Sequence, residues 1–168
     1  MNKKTYNLIF TAVFSAIIFV TTAFLHIPVG SGYVHVGDAI LYVSALILDM
    51  PWALLAGALG EGLADVAGGF AAYAPATVAV KIAVAVLFSL VKAKDNRLFN
   101  KFSAFMTVPA GAVTVGGYFV ADWILFRNFA FVGVVGNLIQ AAASAVIFII
   151  IAISLDKVHI KDKISINN

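Results

Sequence analysis

Between Tyr6 and Leu25 the chain runs for twenty residues without a charge. At roughly 1.5 Å of rise per residue, a helix of that length crosses the hydrocarbon core of a bilayer. Apolar blocks then recur almost to the end of the 168 residues, over 36–66, 75–91, 103–126 and 131–155. The 36–66 block is interrupted by Asp49-Met50-Pro51-Trp52. Proline suits the first turn of a helix, and an Asp two residues earlier can cap it, so this block divides into helices over about 36–48 and 51–66. Both are short for a crossing, and a re-entrant hairpin is the rival reading. The expected fold is all-α: a single membrane domain, 1–168, of six transmembrane helices over about 6–25, 36–48, 51–66, 75–91, 103–126 and 131–155. Composition agrees, with 62% hydrophobic residues, 11% charged and a mean hydropathy of +1.03, against about 25% charged in a soluble domain.

Orientation follows from the basic residues. Nine of the eleven Lys and Arg lie in three places: Lys3 and Lys4; Lys92, Lys94, Arg97 and Lys101; and Lys157, Lys161 and Lys163. Six crossings put all three on one side, and the positive-inside rule makes that side cytoplasmic. Both termini are then cytoplasmic, and a re-entrant hairpin in place of helices 2 and 3 leaves this parity unchanged. Lys3-Lys4 before an apolar run also opens a signal peptide. Twenty apolar residues exceed the usual signal core, however, and Thr21-Thr22-Ala23 is a poor cleavage site, so the segment reads as a retained helix. The net charge of +3 is distributed by topology, not along a stripe, which argues against nucleic acid as a partner. With no cysteine there is no disulfide framework or thiolate metal site.

Ionisable groups at membrane depth are costly and mark candidate sites. Asp38 opens helix 2, where it either caps the helix or meets a ligand. Glu61 and Asp65, four apart, share a face of helix 3, and Lys81 on helix 4 either neutralises one of them or contacts ligand. Asp122 lies one turn beyond Tyr118 on helix 5; with Trp123 and Arg127 nearby, it is either an interfacial anchor or a ligand contact. On helix 6, Asn137 and Gln140 share a face that Ser144 continues, either as interhelical glue or as two amides reading a planar heterocycle. All belong to the outer half, forming a bowl over an apolar floor, with Tyr33, Phe70, Tyr73, Tyr118 and Trp123 available to stack on a ring. Four acids against Lys81 and Arg127 lean away from a strongly anionic substrate. His26 and His35 without a carboxylate pattern are weak evidence for a metal, so none is expected, nor any cofactor. His159 falls in the basic tail. No nucleophile and base stand out as a catalytic pair, so enzyme activity is not expected.

Small residues also recur. Ala53, Ala56, Gly57, Gly60, Ala64 and Gly68 permit close packing of helix 3 inside the bundle. On helix 1, Ala12 and Ala16 suggest a surface for a partner.

Several of these segments together, Val34-His35-Val36-Gly37-Asp38-Ala39, Gly57, Gly60, Asp65-Val66-Ala67-Gly68-Gly69-Phe70, Tyr73-Ala74-Pro75 and Lys81, resemble the substrate-binding S components of energy-coupling factor (ECF) transporters. The resemblance is to the riboflavin-type branch, which also takes in pyridoxine and hydroxymethylpyrimidine carriers. It implies six helices with cytoplasmic ends in a bacterial cell membrane, and vitamin capture from outside by the first outer loop and the outer ends of helices 4 to 6. It also implies a transmembrane coupling protein docked on the Ala12 and Ala16 face, and two cytoplasmic ATPases; this chain has no Walker A pattern. It lacks the N-terminal Met-His motif of the nickel and cobalt relatives. The competing class is a stand-alone secondary carrier that exchanges protons at Glu61 and Asp65, where like charges raise one another's pKa.

Overall fold

A computed structural model describes residues 2–29, 32–92, 97–127 and 130–164. Helix α1 (Lys3–Ala23) starts at Asn2, whose side chain accepts the Thr5 amide. It leads into an antiparallel hairpin, β1 (His26–Val29) and β2 (Gly32–His35), with His26 opposite His35 and Ile27 opposite Val34. Then follow α2 (Gly37–Ile47), α3 (Met50–Ala67), α4 (Ala74–Leu90), α5 (Lys101–Phe126), α6 (Ala130–Lys157) and the short α7 (Ile160–Ile164). Among the described residues the fold is all-α apart from the hairpin, which replaces an expected loop; its β-branched Ile27 and Val34, paired across the strands, suit that structure. The helix α7 was not expected either.

Among the described residues three helices are long and apolar enough to span a bilayer, within Lys3–Ala23, Lys101–Phe126 and Phe131–Lys157. Of the others, α2 is the shortest of the principal helices, for a structural reason. With 11 residues, α2 is only about 16 Å long, and nine of those residues are buried. It packs against α1, α3, α4 and α6. A helix apolar all round is one enclosed by its neighbours, so protein contacts, not bilayer thickness, set its length. The perimeter is apolar in turn, with Leu8, Leu63, Phe105, Val135 and Ile150 exposed.

Close helix approach depends on small residues. A Cβ on Gly60 of α3 would lie 2.6 Å from Ile18 Cγ2 and 3.0 Å from the Ser15 carbonyl of α1. The buried stripe of α1 is partly polar (Asn7, Thr11, Ile18 and Thr22), whereas Ala12 and Ala16 are exposed.

Most of the basic residues gather at one end. Asp49 occupies the N-cap position of α3, but its carboxylate makes no capping bond there, contrary to expectation. It takes a bond from Asn7 Nδ2 (3.2 Å) and pairs with Lys3 (3.2 Å) and Lys92 (3.9 Å). Lys92 also donates to the Ile47 and Leu48 carbonyls that α2 leaves open at its C-terminus, a favourable place for a cation. Asp156 of α6 accepts the Leu98 and Phe99 amides, and Lys161 donates to the Arg97 carbonyl. Lys92 on one side and residues 97–99 on the other thus hold the N-terminal and C-terminal regions at the same end. Lys94 lies outside the described residues.

Candidate functional site

At the opposite end the helices part around a cavity of about 320 Å³, at the small end of the range of ligand sites. Its wall is made by β2, the C-terminal half of α3, the first turns of α4, the end of α5 and the start of α6. Of the nine residues expected in a substrate site, Glu61, Asp65, Tyr73, Lys81, Tyr118, Asp122, Asn137 and Gln140 line it. Asp38 stands behind that wall.

The Asp38 carboxylate does not cap α2; Val36 holds the cap position, with no side-chain bond. It accepts a hydrogen bond from Lys81 Nζ and another from Gln140 Nε2 (2.9 Å). Lys81 is fully buried, and its second counter-charge is Glu61 at 3.7 Å. The sequence leaves Lys81 to neutralise Glu61 or Asp65 or to contact ligand; its direct partner is Asp38, with Glu61 second, and Asp65 is bonded elsewhere. Thr77, one turn before Lys81 on α4, donates to Asp65 and lies 3.0 Å from the Tyr118 hydroxyl. Glu61 is 2% exposed, and its Oε1 has no hydrogen-bond partner among the described residues.

Gln140 and Asn137 share a face and divide their tasks. Gln140 Oε1 accepts the His35 amide (2.8 Å), and Nε2 approaches the His35 carbonyl (3.2 Å) as well as Asp38. This amide therefore ties β2 to α6 and is largely satisfied within the protein. Asn137 is half-buried and lines the cavity, and its side chain makes no hydrogen bond to a described residue.

His35 belongs to the wall as well. Its Nδ1 accepts the Gly37 amide (3.2 Å) and lies 3.3 Å from Thr22 Oγ1, which leaves the ring proton on Nε2, 3.8 Å from Glu61. Burial pushes the imidazole down to about 4; Asp38 opposes the shift, and Lys81 and His26 add to it. The ring is neutral at pH 7. Among the described residues no three His, Asp or Glu are grouped to hold a metal ion.

The mouth is aromatic. Tyr33 contacts Phe70 (ring centres 5.7 Å apart), and Tyr73 contacts Tyr118 (6.5 Å) and Phe126 (6.0 Å). The Tyr73 hydroxyl donates to Asp122. Asp122 therefore faces the cavity, while Trp123 is 44% exposed and packs on Phe119. Neither Trp123 nor Arg127 lines the cavity, and Phe126 takes the place foreseen for the tryptophan. Gly133 leaves room for this arrangement, since a Cβ there would lie 2.4 Å from Asp122 Oδ2.

The floor follows from helical spacing. Tyr42 is one turn below Asp38, Phe148 one turn below Ser144 and Phe88 two turns below Lys81, so the three rings meet beneath the charged cluster. Tyr42 stacks on Phe88 at 4.3 Å, and Phe148 packs edge-on at 5.7 and 5.3 Å. All three are at most 1% exposed. His35 and Thr77 were not foreseen in this assembly. Their signals were slight: a histidine beside Gly37-Asp38, and a threonine four residues before the only lysine of an apolar helix.

The family model described as ECF-type riboflavin transporter, S component, matches residues 2–157. No curated protein and no solved structure matches the chain.

Proposed function

The chain belongs to the family of ECF-type riboflavin transporter S components, and from that premise we propose that it captures a water-soluble vitamin or vitamin precursor from the extracellular side. It is a multi-pass membrane protein and a transporter subunit, not an enzyme. In this reading six helices cross a bacterial cell membrane with both ends in the cytoplasm. ATP is hydrolysed by two separate ATPases, linked through a transmembrane coupling protein that docks on the Ala12 and Ala16 face. The substrate is of the riboflavin, pyridoxine or hydroxymethylpyrimidine class. Glu61, Asp65, Tyr73, Tyr118, Asp122 and Asn137 contact it, while Asp38, Lys81 and Gln140 hold the wall in place.

The observation that supports this reading best is that the cavity is blind. Polar and aromatic at its mouth, it reaches inward only as far as Glu61, Lys81 and Gln140, beyond which Tyr42, Phe88 and Phe148 pack on one another. A channel or a carrier with its own ion path needs polar groups along the whole crossing. A blind receptor needs a partner that moves it.

The test has two parts. Small molecules that co-purify with the protein are identified by mass spectrometry, and riboflavin, pyridoxine and 4-amino-5-hydroxymethyl-2-methylpyrimidine are titrated against it. At least one should bind, and Asn137→Ala should weaken it. Uptake of the bound vitamin is then followed in cells with and without the ATPase module. Binding of none of the three rejects the substrate class. Full uptake without the module rejects the importer and favours a carrier working through Glu61 and Asp65.

A further inference from the structure

We propose that the preferred substrate carries a positive charge, so that the cavity is a site for an organic cation built on a nitrogen heterocycle. This rests on the cavity being the substrate site. It goes further by selecting, within the vitamin class, a protonated or quaternary ring nitrogen.

The first observation is an imbalance of charge. Among the described residues the one cation lining the cavity, Lys81, is bonded to Asp38 and lies 3.7 Å from Glu61, so two carboxylates already answer it. Arg127 is exposed and does not line the cavity. Among the described residues Asp65 and Asp122 have only hydroxyl partners, Thr77 and Tyr33 for the first and Tyr73 for the second. A hydroxyl steadies a carboxylate without cancelling its charge. In a water-poor site, an uncancelled carboxylate attracts a cation much more strongly than it would in water.

The second observation is independent. Glu61, 2% exposed, lines the cavity with Oε1 unpartnered among the described residues. This oxygen lies against Gly37 and not in the open cavity, so no described donor answers it and the carboxylate adds its negative potential to the wall that a charged ring would face. The third is the lining itself. Tyr33 and Phe70 form one aromatic pair, and Tyr73 meets both Tyr118 and Phe126. Ring faces are negative, and walls of several aromatics are the usual receptors for organic cations. Carboxylates set among such faces favour a flat cation over a neutral ring of the same shape, and reject an anion.

The experiment titrates the purified full chain by calorimetry with a matched pair, 3-hydroxymethylpyridine and N-methyl-3-hydroxymethylpyridinium, beside the three vitamins. The cation should bind about tenfold more tightly than its neutral partner. Asp65→Asn and Asp122→Asn, which keep shape and polarity, should each shrink that ratio. The proposal is overturned if the neutral ring binds as well or better, or if neither probe binds while a vitamin does; the capture function then stands without it. A preference that survives unchanged in both variants overturns it too, by placing the cation elsewhere. If neither the probes nor any vitamin binds, the cavity is not the substrate site and both readings fall together.

Discussion

Lys81 has no solvent exposure, and its charge is answered by Asp38 and Glu61. Removing one member of a buried pair leaves the other charge uncompensated, at a cost of about 3–5 kcal/mol. Lys81→Met should therefore lower the melting temperature of the purified protein sharply. The double variant Lys81→Met with Asp38→Asn, which removes both charges, should recover part of the loss. A double variant less stable than Lys81→Met would show that the pair is not what holds α2 to α4. His35 carries a prediction in pH. Its imidazole titrates near 4 in the folded protein, against an ordinary value of 6.5. Between those values the unfolded chain binds more protons, so stability falls as pH falls through this window and is unaffected by this group above it. His35→Asn keeps an acceptor for the Gly37 amide but does not titrate. Melting curves of that variant should show a flatter pH dependence from about 6.5 to about 4; an unchanged slope would assign the effect to other groups.

At the scale of elements, two surfaces of α1 have opposite roles. Its inner face meets Gly60 of α3, where a Cβ would be 2.6 Å from Ile18. Gly60→Val should cost about 1–3 kcal/mol by overpacking, seen as a lower melting temperature; a variant as stable as the parent would mean the helices can part freely. The outer face bears Ala12 and Ala16, exposed among Leu8, Ile9, Val13 and Ile17. Ala12→Trp with Ala16→Trp should leave folding and vitamin affinity intact while abolishing co-purification of a coupling protein. If co-purification persists, the docking surface lies elsewhere. The hairpin depends on one side chain in a similar way, because Gln140 holds both polar groups of the His35 backbone. Gln140→Ala should loosen β2 and speed vitamin release, measured as a larger dissociation rate with little change in association.

For the whole molecule, segregation of charge is the organising feature. Lys3, Lys92, Arg97 and Lys161 meet at one end and the cavity opens at the other. With no native cysteine, orientation can be read from single cysteines. In intact cells an impermeant thiol reagent should label Phe70→Cys, beside the cavity mouth, and should reach Lys163→Cys only after permeabilisation. The reverse pattern would invert the topology and remove extracellular capture. The same segregation explains the blind cavity, since Asp38, Lys81 and Ser144 are each followed one or two turns later by a buried aromatic, Tyr42, Phe88 and Phe148, and these rings pack together on the inner side.

By itself the sequence determined the membrane character, the approximate residue ranges of helices α1 to α6, and the clustering of ionisable groups toward one end of the helices. These are consequences of period, length and charge, all of which are local. It also marked eight of the residues that line the cavity, because a charge or amide within an apolar helix is conspicuous wherever it ends up. Partnership was decided only by the tertiary structure. Asp38 and Lys81 are 43 residues apart, and nothing local favours Asp38 over Asp65 as the partner of that lysine. The enclosure of α2, the paired strands at 26–35 and the bonding of Gln140 to the backbone of His35 likewise depend on neighbours distant in the chain. Side-chain chemistry states what each group needs; which group supplies it is settled when the helices pack.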